Sequence, residues 1–147
     1  MTRARARSLA LAALLVGVLA VPVSSIPVAG PLVSAATCRT GSSACPIRIT
    51  FSPDAYSAQA TGSLSSLSAA TWFVVRARAD QSAIVIVEGA GPTRGIVYFP
   101  NHRYSGMPGG RVFDGLLPVT GDYRIRVSES TMAQPWHGPV TVLVVAY

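Results

Sequence analysis

Between Leu117 and Val127 the chain passes from a turn into strict alternation, and that switch constrains the fold more than any other feature. Tyr123, Ile125 and Val127 alternate with Arg124 and Arg126. Successive side chains of a strand point to opposite faces, so the apolar trio shares one face and the two guanidinium groups the other. Such a strand is half-buried, packing on a core on one side and meeting water on the other, as antiparallel sheets do. Pro118 and Gly121 supply the turn chemistry ahead of it.

The same period runs through the chain from Pro46. Ile47, Ile49 and Phe51 alternate with Arg48, Thr50 and Ser52, and a Pro53-Asp54 turn follows. Tyr56 to Leu64 alternates more weakly. Thr71 to Ala79 predicts a strong strand, with Phe73, Val75 and Ala77 on one face and Trp72, Val74, Arg76 and Arg78 on the other. Ser82 to Glu88 reads as a buried strand rich in β-branched residues. Further strands are expected at Gly95 to Phe99, Arg111 to Leu117, Tyr123 to Ser128 and Pro139 to Tyr147. The last is apolar on both faces and so should be central or covered. Ser63 to Ala70, Pro100 to Gly110 and Ser130 to Gly138 read as loops. About eight short strands separated by turn residues, with no repeat and no helix after the N-terminal segment, predict an all-β chain. The expected architecture is a single antiparallel β-sandwich, jelly-roll-like.

The first 35 residues read differently. Arg3, Arg5 and Arg7 precede an apolar run from Leu9 to Val23, and small residues lead to Val33-Ser34-Ala35. This is the pattern of a signal peptide cleaved before Ala36, with Ala29 a second cleavage option. A retained anchor is the competing reading, although the run is shorter than the ~20 residues a bilayer span needs. The expected organisation is a signal peptide over 1–35, a stapled segment over 36–45 and a sandwich domain over 46–147. The full chain carries 12 basic and 6 acidic residues, a net charge of +6. Without the three leader arginines, nine arginines face six acids, a net +3. That mild, scattered excess suits an acidic partner but is no nucleic-acid footprint. The two cysteines, Cys38 and Cys45, follow the cleavage site and in an exported chain are expected to pair, stapling the N-terminal segment.

Leu117-Pro118-Val119-Thr120-Gly121 also spells a cell-wall sorting pentapeptide. A sorting signal needs a spanning apolar segment next and then a basic tail. Here the pentapeptide runs straight into the amphipathic strand, so the structural reading is preferred.

Catalytic groupings are sparse. His102 and His137 are the only histidines, and no Gly-x-Ser-x-Gly elbow surrounds any serine. No cluster has metal-ligand spacing, so no metal or cofactor is expected. The aspartates fall at or near turns, where Asp satisfies backbone N–H groups. Two segments are candidate binding sites. Asn101 to Arg111 is long for a strand connection and contains His102, Arg103, Tyr104 and Met107, residue types that suit contact surfaces. Its arginines, Arg103 and Arg111, are suited to bidentate pairing with a carboxylate. A solvated glycine-rich loop is the plain alternative. The second segment is Gln134-Pro135-Trp136-His137, where Trp136 either stacks on a sugar or partner pocket, or covers one end of the core.

Leu117-Pro118, Thr120-Gly121-Asp122-Tyr123, Ile125 and Val127 together resemble an element near the end of small secreted β-sandwich domains. These are the bacterial pre-peptidase C-terminal domains and the related periplasmic inhibitors of goose-type lysozyme. Ile49-Thr50-Phe51 resembles their opening strand. Gly62 and the Trp72 to Ala77 stretch resemble a second element, with Asp80-Gln81 where the family has Gly-Gln. The resemblance covers residues 46–147. It implies a secreted or periplasmic, non-catalytic binding module, whose inhibitor branch sends a surface loop into an enzyme cleft. Lysozyme-type clefts hold catalytic carboxylates, so a basic loop is physically apt. The implied partner is a protein, a lysozyme or other envelope enzyme, or else a glycan. No nucleic acid is implied, and no membrane once the signal is removed. A structural or carbohydrate-associated envelope protein is the alternative.

Overall fold

The computed structural model describes residues 38–65, 69–130 and 135–147. The signal-peptide reading and Gln134 lie outside them. Nine strands form: β1 (Ile47–Ile49), β2 (Ser57–Leu64), β3 (Ala70–Ala77), β4 (Ser82–Gly89), β5 (Thr93–Tyr98), β6 (Tyr104–Pro108), β7 (Arg111–Leu116), β8 (Gly121–Glu129) and β9 (Gly138–Ala146). There is no helix among the described residues. One sheet has the order β1-β3-β8-β5-β6 and the other β2-β9-β4-β7.

The pairing explains the order. β2 pairs with β9, β3 with β8, β4 with β7 and β5 with β6, all antiparallel. These are the arms of one long ribbon whose tip is the β5–β6 turn. Winding that ribbon so that alternate pairs fall in opposite sheets gives the two four-stranded orders of a jelly roll. β1 adds a ninth strand, parallel to β3. β9 lies between β2 and β4, so the strand that is apolar on both faces is indeed central.

The core lies between the sheets and is built from the inward half of each alternation. Phe73, Val75, Ile125, Val127 and Tyr123 come from the five-stranded sheet, and Val85, Val87, Val140, Val142 and Val144 from the other. Ile125, Val127, Val140 and Val142 have no exposed surface. Each such side chain contributes roughly 1.5–3 kcal/mol of burial free energy. The register slips between Val85 and Ile86, a bulge that buries both Val112 and Phe113 of β7. Val112 fills the space opposite Gly95, where a Cβ would stand 2.6 Å from its Cγ1.

Two expectations need adjustment. The segment Pro100 to Gly110 is no long loop. Its middle is β6, which pairs with β5 from Tyr98↔Tyr104 to Arg94↔Pro108. The segment lacks alternation and is rich in Gly and Pro, yet the open edge of β5 supplies backbone partners that hold it as a strand. The N-terminal strand stops at Ile49 and does not continue through Phe51.

Cys38 and Cys45 form a disulfide with Cα atoms 5.9 Å apart. The loop it closes is ordered from within: Gly41 N–H donates to Cys45 C=O at 2.7 Å and Ser42 N–H to Arg39 C=O at 3.0 Å. It is also sewn to the sheet, because Trp72 N–H of β3 donates to Gly41 C=O at 2.8 Å.

Candidate functional site

Register fixes which side chains share the outer face of the five-stranded sheet. One row across it reads Arg48, Val74, Arg124, Tyr98 and Tyr104. The next reads Trp72, Arg126, Ile96 and Gly106. Arg94 and Ser128 pair in a third row, and Arg76 faces Asp122 in a fourth. Five arginines, a tryptophan and two tyrosines thus come together from β1, β3, β8, β5 and β6, with Asp122 as the one acid in those rows.

The aromatic groups touch. The Trp72 and Tyr98 ring centroids are 5.5 Å apart, and those of Tyr98 and Tyr104 are 6.0 Å apart. The Arg124 guanidinium lies over the Trp72 ring, 5.0 Å from its centroid, in cation–π geometry. The same guanidinium donates to the Ser43 carbonyl of the disulfide loop. It is therefore held in place before any partner arrives. Asp122 pairs with Arg48 at 3.2 Å and more distantly with Arg76 at 3.8 Å. Tyr104 stands out from this face, 71% exposed. Trp72, Tyr98, Phe99, Pro100, His102, Asp122 and Arg124 enclose a depression of about 350 Å³.

The rim of that depression is the ribbon tip. His102 N–H donates to Phe99 C=O at 3.0 Å, Phe99 N–H to Arg103 C=O at 2.8 Å, and Arg103 N–H to the Asn101 side chain at 3.2 Å. His102 takes the left-handed conformation, φ 64°, that the tight turn requires. The tip presents Asn101, His102 and Arg103 to solvent.

The seven candidate binding residues therefore divide. Asn101, His102, Arg103 and Tyr104 lie together at the tip and beside the aromatic face. Arg111 lies at the far end of β6, past the Gly109-Gly110 turn, and pairs with Asp114 at 2.6 Å. Trp136 and His137 also lie at that far end. Trp136 Nε1–H donates to Pro92 C=O at 2.8 Å, and its backbone N–H donates to the Glu129 carboxylate at 3.2 Å. Its ring fills the space over Gly89 and Gly91, where a Cβ would stand 2.5 Å and 2.7 Å from ring atoms. It also packs against the buried core. Trp136 thus lies, partly buried, over the end of the sandwich. His102 and His137 sit at opposite ends of β5.

Trp72, Tyr98 and Arg124 were not among the sequence candidates. The signal for them was the polar half of two alternations: a strand face that carries a tryptophan with several arginines, and a single acid, Asp122, to pair them, differs from an ordinary solvated face. No group of three or more His, Cys, Asp or Glu residues placed to hold a metal ion occurs among the described residues.

No protein-family model matches the chain, and no curated protein matches it in sequence. The resemblance to pre-peptidase C-terminal domains thus gains no support. Solved structures do match. PliG from Aeromonas hydrophila, a periplasmic lysozyme inhibitor of g-type lysozyme, is 21% identical, with a TM-score of 0.58 over 69% of this chain and 96% of the inhibitor. PliG from Salmonella Typhimurium is 14% identical, with a TM-score of 0.58 over 69% of this chain and 97% of its own. A mutant of the Escherichia coli inhibitor is 15% identical, with a TM-score of 0.54 over 69% and 97%. At these identities the likeness is one of fold.

Proposed function

We propose that this chain is an exported, non-catalytic protein-binding module that inhibits a g-type lysozyme. It docks with the outer face of the five-stranded sheet and the Asn101–Arg103 tip. The observation that carries the docking surface is the preassembled Trp72–Tyr98–Tyr104 cluster with Arg124 over Trp72. Tryptophan, tyrosine and arginine are the residues that dominate binding energy at protein interfaces. Rigid aromatic groups and a guanidinium already held by Ser43 lose little side-chain entropy on binding. The likeness of fold to the g-type lysozyme inhibitors, nearly end to end on their side, supports the choice of partner.

Within this reading the basic surplus of the face steers it toward an acidic patch, and a lysozyme cleft carries catalytic carboxylates. Arg103 at the tip is free of strand pairing and suited to reach such a carboxylate bidentately. The signal peptide over 1–35 belongs to the same proposal, since a disulfide and a lysozyme partner both call for an oxidising compartment outside the cytoplasm.

The test is titration of purified goose-type lysozyme acting on peptidoglycan with the mature chain. Saturable inhibition at micromolar protein or below is expected. No effect at micromolar protein would remove the lysozyme assignment and leave a binding module with another partner.

A further inference from the structure

A second site lies at the end of the sandwich where β3 turns into β4; it shares only Arg76 with the docking face, and its reading is independent of the lysozyme assignment. Phe51, Ala55, Arg76, Ala77, Arg78, Gln81, Thr120 and Ala146 line a groove of about 560 Å³, a size ordinary for small-molecule sites. Its polar lining consists of donors. The Gln81 side-chain oxygen accepts from Arg78 N–H at 2.7 Å, and its Nε2 end carries two further N–H donors. Thr120 Oγ1 accepts from Ala79 N–H at 2.9 Å, so its own proton remains to be donated. Arg76 has only its 3.8 Å contact with Asp122, whose other oxygen is taken by Arg48, and among the described residues Arg78 makes no ion pair. No carboxylate side chain lines the groove. The remainder of the lining is apolar: Phe51, Ala55, Ala77 and Ala146.

We propose that this groove binds a small soluble anion, a carboxylate or phosphate monoester joined to a short apolar body. Two guanidinium groups, an amide and a hydroxyl line this one groove, a donor set suited to an oxyanion, for which charge-assisted hydrogen bonds are the strongest available. The backbone bonds that orient Gln81 and Thr120 fix two of the donors in advance. The three alanines and Phe51 offer an apolar wall to the ligand body. A cationic ligand of the same size would meet two like charges, and a neutral one would forgo the charge assistance.

The test is NMR titration of the folded chain with hexanoate and with hexyl phosphate, against hexanol and hexyltrimethylammonium. Expected are saturable shifts, for at least one anion, of the Gln81 side-chain amide and the backbone amides of Ala77 to Gln81 and Thr120. Affinity should fall about tenfold in Arg78→Gln, the loss of one charge-assisted donor. Arg78→Lys, which keeps the charge and the exposed stem, should fall between the two. Pelleting with phosphatidylglycerol vesicles checks the other source of phosphate. Equal shifts with hexanol, no shifts with either anion at millimolar concentration, or binding to the vesicles alone would overturn the proposal.

Discussion

The Tyr123 hydroxyl donates to the Val119 carbonyl at 2.5 Å and accepts from the Val119 N–H at 3.3 Å, tying the first core-facing residue of β8 to the turn that precedes it. Tyr123 is 2% exposed, so this hydroxyl has no water to fall back on. Tyrosine corners of this general kind recur in β-sandwiches. The stretch that spells a sorting pentapeptide is a turn clamped by its own downstream tyrosine. Tyr123→Phe removes the clamp, leaves both Val119 groups without it, and keeps the packing. The expected cost is about 1–3 kcal/mol in the free energy of unfolding, measured by urea denaturation. A change within a few tenths of a kcal/mol would show that the clamp does not matter.

Reduction of the Cys38–Cys45 disulfide should also destabilise the chain. Loop-closure entropy for so small a ring gives about 2.5 kcal/mol, on the order of 10 °C in Tm. The loop carries the Ser43 carbonyl that holds Arg124 and the Gly41 carbonyl that holds the Trp72 amide. Cys38→Ser/Cys45→Ser should therefore weaken partner binding as well as lower Tm. A calorimetric scan with a parallel binding assay separates a local staple from one that supports the docking face.

Trp136→Ala should cost about 2–3 kcal/mol, less than a fully buried tryptophan because the side chain is only partly buried. It should leave the affinity for the partner unchanged in the folded fraction. Arg111→Ala should be nearly silent in both respects, since its ion pair with Asp114 is exposed. Loss of binding in either variant would move the docking surface to the far end of the sandwich.

Gly95→Ala tests the packing of the two sheets. The new methyl would stand 2.6 Å from Val112 Cγ1, and Val112 is β-branched and wholly buried. Overpacking of about 1–3 kcal/mol is expected by thermal denaturation, and Val112→Ala in the same chain should recover part of it.

The sandwich was legible from Arg48, Arg76, Arg124 and Arg126, each set between apolar neighbours, because a period of two needs no tertiary information. β6 was not legible. Tyr104-Ser105-Gly106-Met107-Pro108 has no apolar face and sits between glycine and proline, and only the β5 edge makes it a strand. The docking face was half legible. The alternation assigned Trp72, Arg124 and Arg126 to the side away from the core. That Trp72 meets Tyr98 and Arg124, residues 26 and 52 positions away, depends on the register of β3, β8 and β5. Nothing local specifies that register. Arg103 and Arg111 looked like one loop in the sequence and stand at opposite ends of a strand for the same reason.

The docking of the outer sheet face to a lysozyme is tested most directly by inhibition of a purified goose-type lysozyme by residues 36–147, compared with Tyr104→Ala and Arg124→Ala. Tyr104 is exposed and Arg124 lies on the outer face, so both variants should fold. The parent chain should inhibit saturably, inhibition should weaken with added salt, and each substitution should raise the inhibition constant about 30-fold. Absence of inhibition at micromolar protein, or full potency in both variants, would contradict that docking.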